Sequence, residues 1–201
     1  MKFSAFLAAA GFALLLNSCA TFPGLPTNEG VGLKRTTPPL PVIAGEIGYS
    51  YWTEDGTEAP LRVTIDLSDQ TAYFYRAGMK VGQSRVATGR AGHATPTGTF
   101  TISEKVAGKR STLYGRIYDA EGLLVNGDAD SRKDRVPPGG EFVGAPMPYW
   151  MRLTGYGIGM HVGAIPNPGT PASHGCIRMP EEMARTLFEK APAGTQVTIV
   201  E

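Results

Sequence analysis

Residues 173 to 178 read Ser-His-Gly-Cys-Ile-Arg, which places a thiol two positions after an imidazole and two before a guanidinium. In extended backbone, residues two apart project to the same side, so His174, Cys176 and Arg178 share one face of such a stretch. A cysteine with a histidine beside it is the machinery of nucleophilic acyl transfer: the sulfur attacks a carbonyl and the imidazole carries its proton. A structural cysteine is expected among apolar side chains, whereas Cys176 lies among Ser173, His174, Gly175 and Arg178. The chain has three histidines and two cysteines. His161 is a second candidate partner, since the Pro- and Gly-rich connection "VGAIPNPGTPAS" that follows it must fold back within a few residues to reach the sulfur. His93, in "GRAGHATPTG", is the least committed of the three. Residue types alone leave both His161 and His174 open as the base. One cysteine and two histidines, with no fourth ligand and no close-spaced pair, make a poor metal site, so no metal is expected. No phosphate-binding glycine loop and no interleaving of basic and aromatic residues is present, which leaves no expectation of a nucleotide cofactor or a nucleic-acid partner.

The elements that must hold these residues follow from composition. With 201 residues, 42% hydrophobic content, 26 glycines and 16 prolines, the chain suits one domain of many short strands. Its formal net charge of +1 points to no strongly charged partner. Strands are expected over 47–52, 61–67, 71–76, 80–89 and 98–105, with Leu61, Val63, Ile65 and Leu67 alternating cleanly and Ser68-Asp69-Gln70 closing a hairpin. Residues 108–146 show little apolar periodicity and many charges, prolines and glycines, and are expected to be a solvated loop with a possible role as a lid. Residues 149–162 read as one or two strands broken by glycines. Pro180 to Lys190 reads as a helix, with Met183, Ala184, Leu187 and Phe188 at helical spacing, and 195–200 as a final strand. Cys176 is thereby expected on a turn feeding a helix N-terminus, where partial positive charge favours a thiolate.

The first residues are set apart. Lys2 and the apolar run Phe3 to Leu16 read as a secretory signal occupying 1–18. "LNSCA" then offers Cys19 as a lipidation site, with Asn17 an uncommon choice before it, or alternatively an ordinary cleavage that discards Cys19. Lipidation is the favoured reading, with residues 19–45 a Pro- and Gly-rich tether and 46–201 the folded body. Export leaves Cys176 without a partner in an oxidising compartment, so its retention calls for a use.

"HVG" at 161–163, the short connection after it and "SHGCIR" at 173–178 resemble the active-site signature of the L,D-transpeptidases, the YkuD-like catalytic domain. "IDLSDQTAYFYRAGMKVGQSRVATG" and "TPTGTFTI" are similar to that domain's opening strands, so the resemblance covers about residues 60–201. Many members carry Asn where this chain has Arg178, and Gly where it has Val162. The resemblance implies a mainly β (β-rich α+β) fold, a single β-sandwich domain with a short helix after the catalytic cysteine. It implies Cys176 as nucleophile, His161 as general base oriented by the backbone carbonyl of Val162, and His174 supporting site and substrate. It further implies cleavage of the amide between the third and fourth residues of a peptidoglycan tetrapeptide stem, release of D-alanine, a thioester intermediate and transfer to an amine. The partners expected are therefore peptidoglycan stem peptides and, through Cys19, a membrane. The location expected is the periplasm or cell envelope, with the outer membrane favoured by Ala20. Backbone N–H groups of Gly175 and Cys176 are placed to serve the oxyanion, Arg178 to grip a carboxylate, Ser173 and Gly175 to line the substrate path, and Trp150 to shield the intermediate. A hydrolase with the same machinery, acting as carboxypeptidase or amidase, and a non-catalytic wall-binding lipoprotein are the alternatives.

Overall fold

The computed structural model describes residues 50–53 and 56–201. The expected signal, Cys19 and the tether lie outside the described residues. Among the described residues no helix is long and apolar enough to cross a membrane.

Among the described residues, two sheets and one helix make the fold. The first sheet contains β1 (Tyr51–Trp52), β2 (Leu61–Asp66), β3 (Thr71–Arg76), β4 (Met79–Arg85), β5 (Gly98–Thr101) and β11 (Gln196–Val200), in the order β1-β4-β3-β2-β11-β5. The second contains β6 (Glu104–Tyr118), β7 (Leu124–Asp130), β8 (Glu141–Arg152), β9 (Gly159–Val162) and β10 (Ile177–Met179), in the order β10-β9-β8-β6-β7. One helix, α1 (Glu181–Lys190), follows β10. The expected mainly β sandwich with a short helix after the cysteine is what the chain forms.

The alternation of β2 explains why the sheets stack. Leu61, Val63 and Ile65 are buried while Arg62 is exposed, and they join Phe74, Val197 and Ile199 from the first sheet. Met151, Met160, Ile177 and Met179 from the second sheet close on them, with Met183, Ala184 and Leu187 of α1 in the same core. Each large apolar side chain so buried contributes roughly 1.5–3 kcal/mol before the entropy of ordering it is counted. The helix carries the apolar stripe expected of it, Glu181 and Glu182 in its first turn and Lys190 in its last, in keeping with its dipole. Pro180 sits at the N-cap, one position before the first helical residue.

One expectation fails. Residues 108–146 are no loop: they form most of the antiparallel strands β6, β7 and β8. The strand pattern is hidden because much of β6 is half-buried or exposed on both faces, so side chains do not alternate between core and water. Bulges add to the disguise. The pairing of β6 with β8 skips from Arg110 to Gly115, and residues 111–114 bow out of the ladder. The Ser111 hydroxyl holds this excursion by accepting from the N–H groups of Leu113 (3.2 Å) and Tyr114 (2.9 Å).

Candidate active site

Strand pairing brings the two parts of the motif together. β9 and β10 run parallel, with Met160 opposite Ile177 and His161 opposite Arg178. Met160, Ile177 and Met179 point into the core and are fully buried. By alternation the other face carries His161 on β9, Arg178 on β10, and Cys176 just before β10 and diagonal to His161. That face opens on a cleft of about 320 Å³ lined by Cys176, His161, His174, Arg178, Ser173 and Trp150, among others.

The segment after β4 holds the motif from the other side. Ala87 and Arg178 exchange both backbone hydrogen bonds at 3.0 Å, the N–H groups of Ala172 and Ser173 donate to Thr88 O at 2.9 Å, and Arg90 N–H donates to Ser173 O at 3.0 Å. Buried Gln70 fixes this segment in turn, accepting from Thr88 N–H at 2.8 Å and donating to Thr88 Oγ1 at 2.6 Å. Within the turn, the buried Ser173 hydroxyl donates to Cys176 O at 2.5 Å and accepts from Gly175 N–H at 3.0 Å, while Thr95 Oγ1 donates to Gly175 O at 2.7 Å. Gly175 adopts φ of +108°, and a Cβ there would lie 2.8 Å from Ile158 Cδ1, so only glycine fits without strain.

These bonds correct three expectations. Ser173 spends its hydroxyl on the turn rather than on a substrate. Gly175 N–H is taken by Ser173 and is not free to meet an oxyanion in this state. Cys176 does not feed the helix directly, because β10 lies between it and α1, so the helix terminus gives the sulfur no close positive charge.

Burial favours the neutral forms of both Cys176 and His161. Burial pushes the Cys176 thiol up, opposed by a backbone hydrogen bond from Gly159 and by the charge of Arg178. Burial lowers His161 to about 4, against the backbone contact with Val162, and the Arg178 charge lowers it further. His161 Nδ1 lies 2.7 Å from Val162 O. A carbonyl only accepts, so Nδ1 carries the hydrogen and Nε2 is left as the basic nitrogen. The thiol is within donating distance of Gly157 O, at 3.6 Å. Trp150, 1% exposed, packs its ring 6.0 Å from that of His161 and against Gly159, where a Cβ would meet the indole at 2.7 Å. The Arg178 stem lies across Gly163, and its Nη1 reaches toward Ala164 O at 3.5 Å.

His174 has different company. Its Nε2 lies 2.8 Å from Arg90 Nη2 and 3.3 Å from Asp128 Oδ1, its ring stacks on Tyr114 with centroids 4.1 Å apart, and His93 meets it edge-on at 4.7 Å. Arg90, Tyr114 and Asp128 escaped the reading of the sequence. The residue type of Arg90, close to His93 in a glycine-rich stretch, carried some signal; Asp128, in a run taken for a solvated loop, carried none. Among the described residues no three of His, Cys, Asp and Glu are grouped to hold a metal ion.

A model of the L,D-transpeptidase catalytic domain, YkuD, matches residues 60–199. The chain belongs to the L,D-transpeptidase family. Solved L,D-transpeptidases share its fold at low identity. That of Mycobacterium smegmatis is 20% identical with a TM-score of 0.55, over 71% of this chain and 59% of that one. That of Stackebrandtia nassauensis is 22% identical with a TM-score of 0.51, over 72% and 57%. A cysteine-to-serine mutant of the Enterococcus faecium L,D-transpeptidase is 23% identical with a TM-score of 0.51, over 70% and 50%. The alignments thus span between half and three fifths of those three chains. No curated protein sequence matches the chain.

Proposed function

We propose that the chain is an exported, cysteine-dependent L,D-transpeptidase acting on peptidoglycan tetrapeptide stems. The observation that carries this reading is the diagonal placement of Cys176 and His161 on one cleft face, the imidazole oriented by Val162 O so that Nε2 is the free base. Turning from Gly157 O, the Cys176 thiol gives its proton to His161 Nε2 as sulfur bonds to the carbonyl carbon of the third stem residue. Collapse of the tetrahedral intermediate breaks the bond to the D-alanine nitrogen, which takes the proton back from His161. An amine acceptor then attacks the thioester, loses a proton to His161 and restores the thiol. The oxyanion is met by Cys176 N–H and His174. No cofactor enters these steps.

Charge supports an acidic peptide as the ligand. Lys109, Arg132, Arg152 and Arg178 line the cleft, Arg132 paired with Asp130 and Arg152 with Glu104, and stem peptides carry free carboxylates, for which Arg178 is the clamp nearest the sulfur. Lys109 and residues 111–114 of β6, with Ala145 and Met147 of β8, wall the cleft and, with Trp150, shield the thioester from water. Met147→Ala, which opens that wall, is expected to raise the ratio of hydrolysed to cross-linked product; an unchanged ratio removes the shielding role. Lipidation of Cys19 would tether the enzyme in the cell envelope, at the outer membrane by the reading of Ala20.

The test is product analysis by mass spectrometry on tetrapeptide stems with and without an amine acceptor. Cross-linked or acceptor-joined product, lost in Cys176→Ala, is expected. Hydrolysed stem alone at every acceptor concentration would make the chain a carboxypeptidase or amidase, and no conversion at all would leave it a wall-binding module.

A further inference from the structure

On the cleft that holds the sulfur, a second polar cluster surrounds His174. Arg90 Nη2 lies 2.8 Å from His174 Nε2 and also donates to Asp128 Oδ2 at 3.0 Å. A guanidinium has donors only and keeps its charge, so the ring nitrogen it touches must offer a lone pair. Asp128 Oδ1, at 3.3 Å from the same nitrogen, pulls the other way, since a carboxylate would rather accept an N–H. The shorter contact decides, and the carboxylate is already served by the guanidinium. The hydrogen of the neutral ring therefore sits on Nδ1, which has no hydrogen-bond partner among the described residues. Tyr114 fixes the ring plane by stacking at 19°, and its hydroxyl is held by Arg132 Nη2 at 2.9 Å.

We propose that Arg90 is a positioning residue that locks His174 as the neutral Nδ1–H tautomer, so that the motif histidine meets the reacting carbonyl oxygen as a hydrogen-bond donor. The part concerning the carbonyl rests on the transpeptidase reading; the tautomer does not. Burial first, and the Arg90 charge second, lower the pKa of His174, in keeping with a neutral ring. Remote in sequence from the motif, Arg90 sets which edge of the imidazole carries the proton, and with it whether the ring attracts or repels developing negative charge.

The contest between Arg90 and Asp128 makes the test specific. In the full chain labelled with ¹⁵N-histidine, NMR at neutral pH is expected to report His174 as Nδ1–H. Arg90→Met leaves Asp128 as the sole partner of Nε2, so the hydrogen moves to Nε2, and acylation of Cys176 slows by about tenfold or more. Arg90→Lys, also a donor only, retains Nδ1–H and most of the rate. Adding Asp128→Leu to Arg90→Met removes the pull and returns part of both signals, which a merely structural role for Arg90 would not produce. A wild-type His174 that is Nε2–H or doubly protonated, or an Arg90→Met protein that keeps Nδ1–H, overturns the proposal. Tautomers that behave as stated in a chain that never acylates would instead sink the transpeptidase reading and leave the lock standing.

Discussion

The two histidines beside Cys176 are held by different kinds of group. His161 is fixed by main chain: Val162 O takes its Nδ1 hydrogen, and Gly157 O and Gly159 N–H meet the neighbouring sulfur. His174 is fixed by side chains from three distant segments, Arg90 after β4, Tyr114 in the β6 bulge and Asp128 on β7. The first environment is buried and carries no paired charge. The second is partly open, its Arg90–Asp128 pair exposed at 37% and 67%. Backbone partners come with the fold and survive substitution, whereas the surroundings of His174 can be retuned one residue at a time. In the proposed mechanism the bond-breaking step falls in the first environment and the adjustable electrostatics in the second.

The largest effect should come from removing what the main chain orients. His161→Gln retains a polar side chain but has no base, and acylation is expected to slow by about 10²–10⁴-fold, read from single-turnover rates; a loss of less than tenfold would give the proton to His174 instead. Next is the turn itself. Gly175→Ala must take φ of +108° with its Cβ 2.8 Å from Ile158 Cδ1, which is expected to cost about 1–3 kcal/mol in denaturant unfolding and to misplace the sulfur. Wild-type stability and rate in that variant would mean that the turn is not as rigid as its bonds imply.

The contrast also has a pH signature. His161 folds with its pKa lowered from 6.5 to about 4 by burial, so between those values the unfolded chain binds more protons than the folded one. Stability is full above pH 6.5 and declines as pH falls toward about 4, by up to about 3 kcal/mol. His161→Gln should remove this slope, and the acid limb of kcat/KM should lie near 4. A limb near 6.5, with no change in slope, would show that His161 is solvated like an ordinary histidine. The smallest effect belongs to Tyr114→Leu, which loses the stacked ring. It is expected to cost about 1 kcal/mol of stability and to slow acylation only several-fold, leaving the acid limb in place.

The same division explains what the sequence could show. His161 and Cys176 were legible through the likeness of 161–163 and 173–178 to the family signature, although β10 between the cysteine and α1 was not read, and β2, β3 and α1 were legible from their apolar spacing. Main-chain partners such as Val162 O also travel with the motif. The companions of His174 were not legible, since Arg90, Tyr114 and Asp128 meet only through the pairing of β6 with β7 and the crossing of 86–90 over the motif. Strands exposed on both faces hid that pairing. Ser173 and Gly175 show a finer limit: their place was right, but whether an N–H or a hydroxyl is free depends on bonds inside the turn.

The most direct test is to incubate the chain with a peptidoglycan tetrapeptide, quench, digest and weigh the peptide that contains Cys176. The account predicts that this peptide gains the mass of the tripeptide acyl group while D-alanine is released in equal amount, and that Cys176→Ala gives neither. Release of D-alanine that persists in Cys176→Ala, or an acyl group found on any other residue, would contradict it.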